Sequence, residues 1–382
     1  MVFPEGFEAL LARSVGEEAA RTALEALSGE PSVSIRLNPE KLRECPFPDA
    51  SPVAWSPWGF HLKERPVFTL DPLFHAGCYY VQDSSAMFVG EVFRRLLPRL
   101  EPGARVLDLC AAPGGKTTDL GTSLRERFGG DFSLLSNEVV RSRAATLRSN
   151  VRNWGDDRIG VTSRDPASFG DSPSFDLILT DVPCSGEGMF RKDPDALRDW
   201  SPDTVAFCTA RQRRILAAVW PALRPGGILL YATCTFNQAE NDENVEWMAR
   251  ELGGMVLETD GGPGTLATRC GQLLLPGRVP GEGQYVAAVV KNGTGSALPG
   301  DVFARFGAER PAAETCPYPL WNVDRTTALR YLHGDALRLE AGAPAGLLTI
   351  AFEGHPLGPA KNLGTRCNNL YPKDRRIRMD IR

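Results

Sequence analysis

Residues 105–118, RVLDLCAAPGGKTT, constrain the fold more than any other part of the chain. The apolar run Val106, Leu107, Asp108 and Leu109 is short enough to be a buried strand of a parallel sheet. Ala111, Ala112, Pro113, Gly114 and Gly115 then turn the chain into a segment that reads as helix. Small residues and two glycines at such a turn let a ligand approach backbone that a side chain would cover. The helix start adds free N–H groups and a partial positive charge, which suit a carboxylate or a phosphate.

Three ligand-binding motifs begin with a turn of this kind. A P-loop needs glycine six places before the lysine of Gly115-Lys116-Thr117, and Cys110 stands there. The dinucleotide fingerprint G-x-G-x-x-G is also missing. The third is the first strand and loop of a methyltransferase that holds S-adenosylmethionine. The alternative is a glycine turn of any α/β domain, without a ligand.

Composition narrows the class. A length of 382 residues predicts two or three domains. With 42% hydrophobic and 24% charged residues, the chain reads as a soluble globular protein. No signal peptide or membrane-length apolar run is visible, so a cytoplasmic protein without a membrane partner is expected. Nine cysteines without C-x-x-C pairs predict free thiols and no metal site. The net charge of −4 does not mark a nucleic-acid binder. Residues 361–382, however, hold seven basic and two acidic residues, so a +5 tail follows a body of −9.

Residues 4–29 carry apolar side chains at helical spacing, and 34–39 read as a short strand ended by proline. The aromatic clusters at 55–60 and 78–83 suit a small-domain core better than stacked bases. A helix over 84–100 leads into the central strand. Strands are expected at 132–138, 159–165, 175–181 and 228–233, and helices at 139–153, 205–223 and 240–252. Pro225, Gly226 and Gly227 are expected to turn the chain into the strand at Ile228. Strands near 255–257 and 285–291 close a doubly wound parallel sheet. Residues 292–300 have linker composition, and the remainder reads as a small β-rich module. The domain division is therefore 1–100 for an N-terminal region, 101–291 for the core and 301–382 for the C-terminal module.

Ligands of open parallel sheets bind beyond the carboxyl ends of the strands. This chain puts Cys110, Glu138, Asp165, Asp181, Cys184 and Cys234 there. Glu138, after the second strand, is where such folds accept a ribose hydroxyl. Asp165 could accept an adenine amino proton. Adjacent strand ends would bring Cys184 and Cys234 to one pocket. Pyrimidine C5 is too electron-poor for direct methyl transfer, but a thiolate added at C6 makes C5 nucleophilic. A carboxylic group at N3/N4 would assist the addition. Residue types alone leave open which thiol attacks.

The chain resembles the Sun/RsmF-type RNA cytosine-C5 methyltransferases. The matching motifs are DLCAAPGGKT (108–117), NE (137–138) with Arg141 and Arg143, Asp165, DVPCSGEGMFRKDP (181–194), RQRRIL (211–216), LRPGG (223–227) and ATCTFNQAENDENV (232–245). RLNP (36–39) and YYVQDSSAM (79–87) match before the core. GHPLGPAKN and NNLYPK match the PUA-type RNA-binding module of RsmF-like members. The resemblance implies a Rossmann-like class I core with a small α+β N-terminal domain and a PUA-like C-terminal domain. It implies S-adenosylmethionine as cofactor, held by Cys110, Ala111, Ala112, Pro113, Gly114, Gly115, Lys116, Glu138, Arg143, Asp165 and Asp181. Cys234 is then the nucleophile, Cys184 assists product release and Asp181 also faces the cytosine. The implied partner is RNA, first of all 16S ribosomal RNA or the small subunit, bound by a monomer.

Three positions depart from the family pattern. Val182 replaces the commoner alanine, Ala232 the usual serine, and residues 275–283 lack a histidine before Gly281-Glu282-Gly283. Transfer RNA is the alternative substrate. An inactive RNA-binding ribosome-assembly factor is the alternative class, and the intact Cys184, Cys234 and Asp181 count against it.

Overall fold

A computed structural model describes residues 1–311 and 317–381. Helices α1 (Phe7–Val15) and α2 (Glu17–Leu27) replace the single helix expected over 4–29. Gly16, at φ +85°, breaks the run by leaving helical geometry between them. A four-stranded sheet follows, built from β1 (Val33–Leu37), β2 (Ser51–Pro52), β3 (Gly59–Leu62) and β4 (Tyr79–Val81) in the order β2-β3-β1-β4. The short α3 (Pro72–His75) precedes β4, and α4 (Ser84–Leu96) leads to the core. The side chain of Asp83 caps α4 by accepting from Ala86 N.

The core alternates β5 (Ala104–Asp108), α5 (Gly115–Phe128), β6 (Phe132–Asn137), α6 (Arg141–Trp154), β7 (Ile159–Thr162) and β8 (Phe175–Asp181). Then come α7 (Pro194–Asp199), α8 (Pro202–Val219), β9 (Leu223–Thr233), α9 (Asp242–Glu251), β10 (Gly254–Leu257), β11 (Leu266–Ala267), β12 (Gln272–Leu274) and β13 (Gln284–Lys291). The sheet order is β11-β12-β13-β9-β8-β5-β6-β7, with β10 also on β13. Strands β5 to β9 pair in parallel, and β13 runs antiparallel to β9. Strand order reverses between β5 and β8, which opens a crevice above their carboxyl ends.

Side chains alternate across this sheet. Leu107, Ile178 and Leu229 face a core shared with α1, α2 and α8, which includes Phe7, Leu11, Leu27 and Leu216. Val106, Leu177 and Leu230 face the other core, with Phe88, Leu120 and Leu147 from α4, α5 and α6. Pro225, Gly226 and Gly227 do not precede β9 as expected but lie within it. The ladder passes from Phe175–Leu223 to Leu177–Ile228, so these residues form a bulge, with Gly226 at φ +73°.

The chain continues through α10 (Val302–Phe306) to β14 (Leu320–Asn322), α11 (Arg325–His333), β15 (Gly346–Phe352), β16 (His355–Asn362) and β17 (Cys367–Asn369). The last four strands form a sheet in that order, and β14 is parallel to β15. Two packing relations cross the sequence divisions. Phe306 stacks on Phe175 and packs tilted against Phe169 in the central sheet's core, and Glu309 pairs with Val161 at its edge. Ile35, Leu37 and Tyr79 of the first sheet share one core with Leu348 and Ile350 of the last and with Tyr331 of α11. Among the described residues, no helix is long and apolar enough to cross a membrane.

Phe306→Ala should destabilise the central domain by about 3–5 kcal/mol, because it leaves a cavity against two rings. Denaturant unfolding that shows no loss would remove residues 302–309 from that core.

Candidate active site

The polar residues that end the parallel strands meet in one cavity of about 260 Å³. Cys110, Ala112, Glu138, Arg143, Asp181, Cys184 and Cys234 all line it. The turn before α5 forms its floor. Ala111 N–H donates to Asn137 O at 2.8 Å, and Asn137 Nδ2 donates to Leu109 O at 3.1 Å, so β6 holds the turn in place. Gly114, at φ +112°, starts α5 from the left-handed region. Ala111, Pro113, Gly114, Gly115 and Lys116 build the turn without lining the cavity.

The glycines do not serve the purpose expected of them. A Cβ on Gly115 would lie 3.3 Å from the Tyr80 ring and 3.4 Å from Gln82 Cδ, and one on Gly114 would lie 3.1 Å from Leu147. The space a side chain would need is filled by β4 and α6, not left open to a ligand. Arg36 of the RLNP motif closes the same side. Its Nη2 donates to Gly115 O at 3.0 Å and to Thr118 Oγ1 at 2.6 Å.

Glu138 is buried at the end of β6, with Oε1 accepting from Val140 N at 2.9 Å and Oε2 lying 3.3 Å from Arg143 Nη1. Arg143 Nη2 also donates to Ala112 O at 2.8 Å, so it braces the turn against Glu138. Outside the turn, Asp165 is the predicted residue that does not line this cavity. It is exposed and spends Oδ1 on the N–H of Ala167, capping the turn at Pro166–Phe169. Pro166 lines the cavity in its place, and Asp165 faces an adjoining groove.

Asp181 ends β8 and is paired with Lys116 at 2.8 Å. Burial works against the Lys116 charge, but the Asp181 carboxylate outweighs it and holds the lysine above its ordinary pKa. Asp108 lies below, accepting from Thr117 Oγ1 at 2.6 Å, and burial pushes its carboxyl up to about 7. Burial also raises the Cys110 thiol, with Asp108 adding to the effect, which disfavours its thiolate.

Cys184 and Cys234 stand with their sulfurs 3.2 Å apart. The hydrogen bond with Cys234, and then burial, hold the Cys184 thiol well above its ordinary range. Two buried carboxylates that the sequence did not mark fix the pair. Glu187, on the Cys184 loop, accepts from Phe236 N at 2.6 Å on the Cys234 loop. Glu240, beyond Cys234, accepts from Ser185 N at 3.0 Å on the Cys184 loop. Asn237 Nδ2 donates to both, at 2.9 and 2.8 Å. Trp200 Nε1 completes Glu187, and Gln212 Nε2 completes Glu240. Both acids sit inside the family motifs, but nothing local separates a buried acid from a surface one.

A nucleoside could enter this cavity with its hydroxyls toward Glu138 and apolar walls at Val139, Pro166 and Ile215. The two thiols at the other end could attack and release an electron-poor ring. Among the described residues no group of three or more His, Cys, Asp or Glu could hold a metal ion.

Comparison with known proteins agrees with this architecture. Residues 96–290 match the family model described as 16S rRNA methyltransferase RsmB/F. Residues 3–84 match the N-terminal domain of 16S rRNA methyltransferase RsmF, and 320–377 match the methyltransferase RsmF PUA domain. Ribosomal RNA small subunit methyltransferase F of Cronobacter sakazakii is 40% identical over 205 residues, which cover 52% of this chain and 41% of that protein. The Klebsiella pneumoniae protein of the same name is 37% identical over 230 residues, 56% of this chain and 46% of its own. The chain thus spans about half the length of the curated relatives it matches. A methyltransferase homologue from Pyrococcus horikoshii superposes over 75% of this chain and 96% of its own, with a TM-score of 0.62 and 26% identity. NSun6 from the same organism covers 76% of this chain and 99% of its own, with a TM-score of 0.63 and 18% identity, and shares the fold. The Rossmann-like core with its flanking N-terminal and PUA domains belongs to the 16S rRNA methyltransferase RsmB/F family.

Proposed function

We propose that the protein transfers a methyl group from S-adenosylmethionine to C5 of a cytosine in RNA, with 16S ribosomal RNA as the substrate. The reading rests above all on two thiols 3.2 Å apart in one cavity with the Glu138 carboxylate. The donor set fits the cofactor: Glu138 would accept its ribose hydroxyls, and the turn from Cys110 to Lys116 would lie beneath its methionine part. Bound there, the cofactor supplies an electrophilic sulfonium methyl group. Arg143 acts through Glu138 and the turn, and Asp165 contributes from the adjoining groove.

The chain's own residues prepare the cytosine. Cys234 sulfur bonds to C6, and the C5–C6 π electrons move toward N3. The Lys116–Asp181 pair faces the N3/N4 edge and supports the charge that develops there. After methylation a water takes the C5 proton, the C5–H electron pair re-forms the C5–C6 double bond, and the C6–S bond breaks with its electron pair returning to Cys234. Cys184, still protonated, donates a hydrogen bond to that departing sulfur. Regions 1–100 and 301–382 flank the 101–291 core and contact the RNA. In the C-terminal module Lys361, Arg366, Lys373 and Arg378 are exposed and free to meet phosphates.

Separate substitutions test each part. Cys234→Ala should reduce methylation to background and form no adduct. Cys184→Ala should attack, methylate and then stall as a protein–RNA complex that survives denaturing gels. The reverse pattern in folded variants would exchange the two roles. Glu138→Ala should weaken cofactor binding by about 1.5–3 kcal/mol, as for a lost hydrogen bond to a charged group. Unchanged calorimetric affinity would sink the ribose assignment. Replacing Lys361, Arg366, Lys373 and Arg378 by serine should weaken RNA binding and flatten its salt dependence, with cofactor affinity intact. An unaltered salt slope would deny the tail its RNA role.

A further inference from the structure

We propose that the solvent face of α8 is a docking track for the single-stranded RNA beside the target cytosine. Phe207 would stack a base, and Arg211 and Arg214 would hold phosphates. The proposal rests on the RNA reading above and adds to it the path by which the strand leaves the cavity.

Positions 207, 211 and 214 follow one another at four and three residues, so they form one stripe on the helix. Phe207 is 67% exposed. A single exposed ring is ordinary on a protein surface and by itself implies nothing. Its neighbours give it meaning. In the run RQRR, Gln212 and Arg213 point inward: Gln212 bonds Glu240, and Arg213 donates to Asn244 Oδ1 at 2.8 Å beside the Trp247 ring. Arg214 is exposed and Arg211 half-buried at the cavity wall, and among the described residues neither has a hydrogen-bond or ion-pair partner. Arg36, Arg94, Arg125, Arg191 and Arg224 are all committed to protein acceptors.

Both free guanidinium groups border a groove of about 490 Å³ between α8 and the turn at Pro166–Phe169. That groove opens into the reaction cavity, for Val139, Pro166, Arg211 and Ile215 line both. A cytidine seated by its base against Cys234 carries a phosphate on each side. These must pass out of the cavity, and Arg211 lines both the cavity and the groove beside it. The acids nearby include Asp165, whose Oδ1 is taken by its cap on Ala167, and Asp203 in the first turn of α8. Two unpaired cations and a bare aromatic face match a strand of alternating phosphate and base.

The test uses the full chain and a labelled, cytosine-containing single-stranded RNA, with affinity measured by anisotropy across a range of salt. Arg211→Gln and Arg214→Gln should each lower the slope of log affinity against log salt by about 0.7, the value for one phosphate contact on a single strand. Phe207→Ala should leave the slope unchanged and weaken binding roughly 5- to 150-fold, with Phe207→Trp restoring it. An unchanged melting transition identifies folded variants. Slopes and affinities equal to the parent in all three folded variants would overturn the track, as would a loss of cofactor affinity in place of RNA affinity. The methylation assay separates the two readings. Normal methylation with unaltered RNA binding refutes the track alone. Altered slopes in a parent protein that never methylates RNA refute the reaction alone.

Discussion

The site depends on a reciprocal pair of buried carboxylates. Glu187 and Glu240 each reach from one cysteine loop to a backbone N–H of the other. Removing a carboxylate from water costs several kcal/mol unless its lone pairs are met by well-placed donors. Each acid here has three: Phe236 N, Asn237 and Trp200 for Glu187, and Ser185 N, Asn237 and Gln212 for Glu240. Burial still raises the Glu240 pKa, against the pull of those bonds. The result is a rigid bridge between two strand ends. A separation of 3.2 Å between sulfurs needs that rigidity, because two free loops would sample many distances.

The first sheet joins the core by a similar arrangement at the opposite side of the turn. Arg36 is fully buried and meets Gln82, Gly115 and Thr118, with its guanidinium 4.6 Å from the Trp154 ring. Burial lowers its pKa, and Asp119 acts in the other direction. Two further groups from the same motif region complete the end of α6: Asn38 Nδ2 donates to Trp154 O, and Lys41 Nζ to Asn153 O. Terminal carbonyls of a helix lack internal partners, and a cation beside them also meets the negative end of the helix dipole. The N-terminal sheet is thus attached to both α5 and α6, on either side of β6. The last sheet shares its apolar core in turn. Motion of the flanking sheets would bear directly on the turn.

Arginines divide into two populations on this molecule. Those that build the frame, such as Arg36 and Arg191, are buried and bonded to backbone carbonyls. Those facing solvent near the cavity and on the tail have few protein partners or none. This division shows how a chain of net charge −4 can still present locally basic surface, as the proposed RNA substrate would require. The negative charge is spent on internal pairs and distant surface, and the cations that matter are local.

Much of the core was legible in the sequence because its signals are local. A buried parallel strand needs an apolar run, and a strand-to-helix turn needs small residues. β5, β6 and β8 follow the expected positions closely, and Cys110, Glu138, Asp181, Cys184 and Cys234 share one cavity. The break at Gly16 and the bulge at residues 225–227 were marked by glycine but misread, because the residue type gives no angle. What only the tertiary structure decided involves distant partners. Arg36 meets Gly115 across 79 positions, and Cys184 meets Cys234 across 50. The neighbour of Gly115, the cap on Asp165 and the burial of Glu187 and Glu240 depend on which surfaces close over them. Spacing along a chain specifies the faces of helices and strands, but only packing brings two remote faces together.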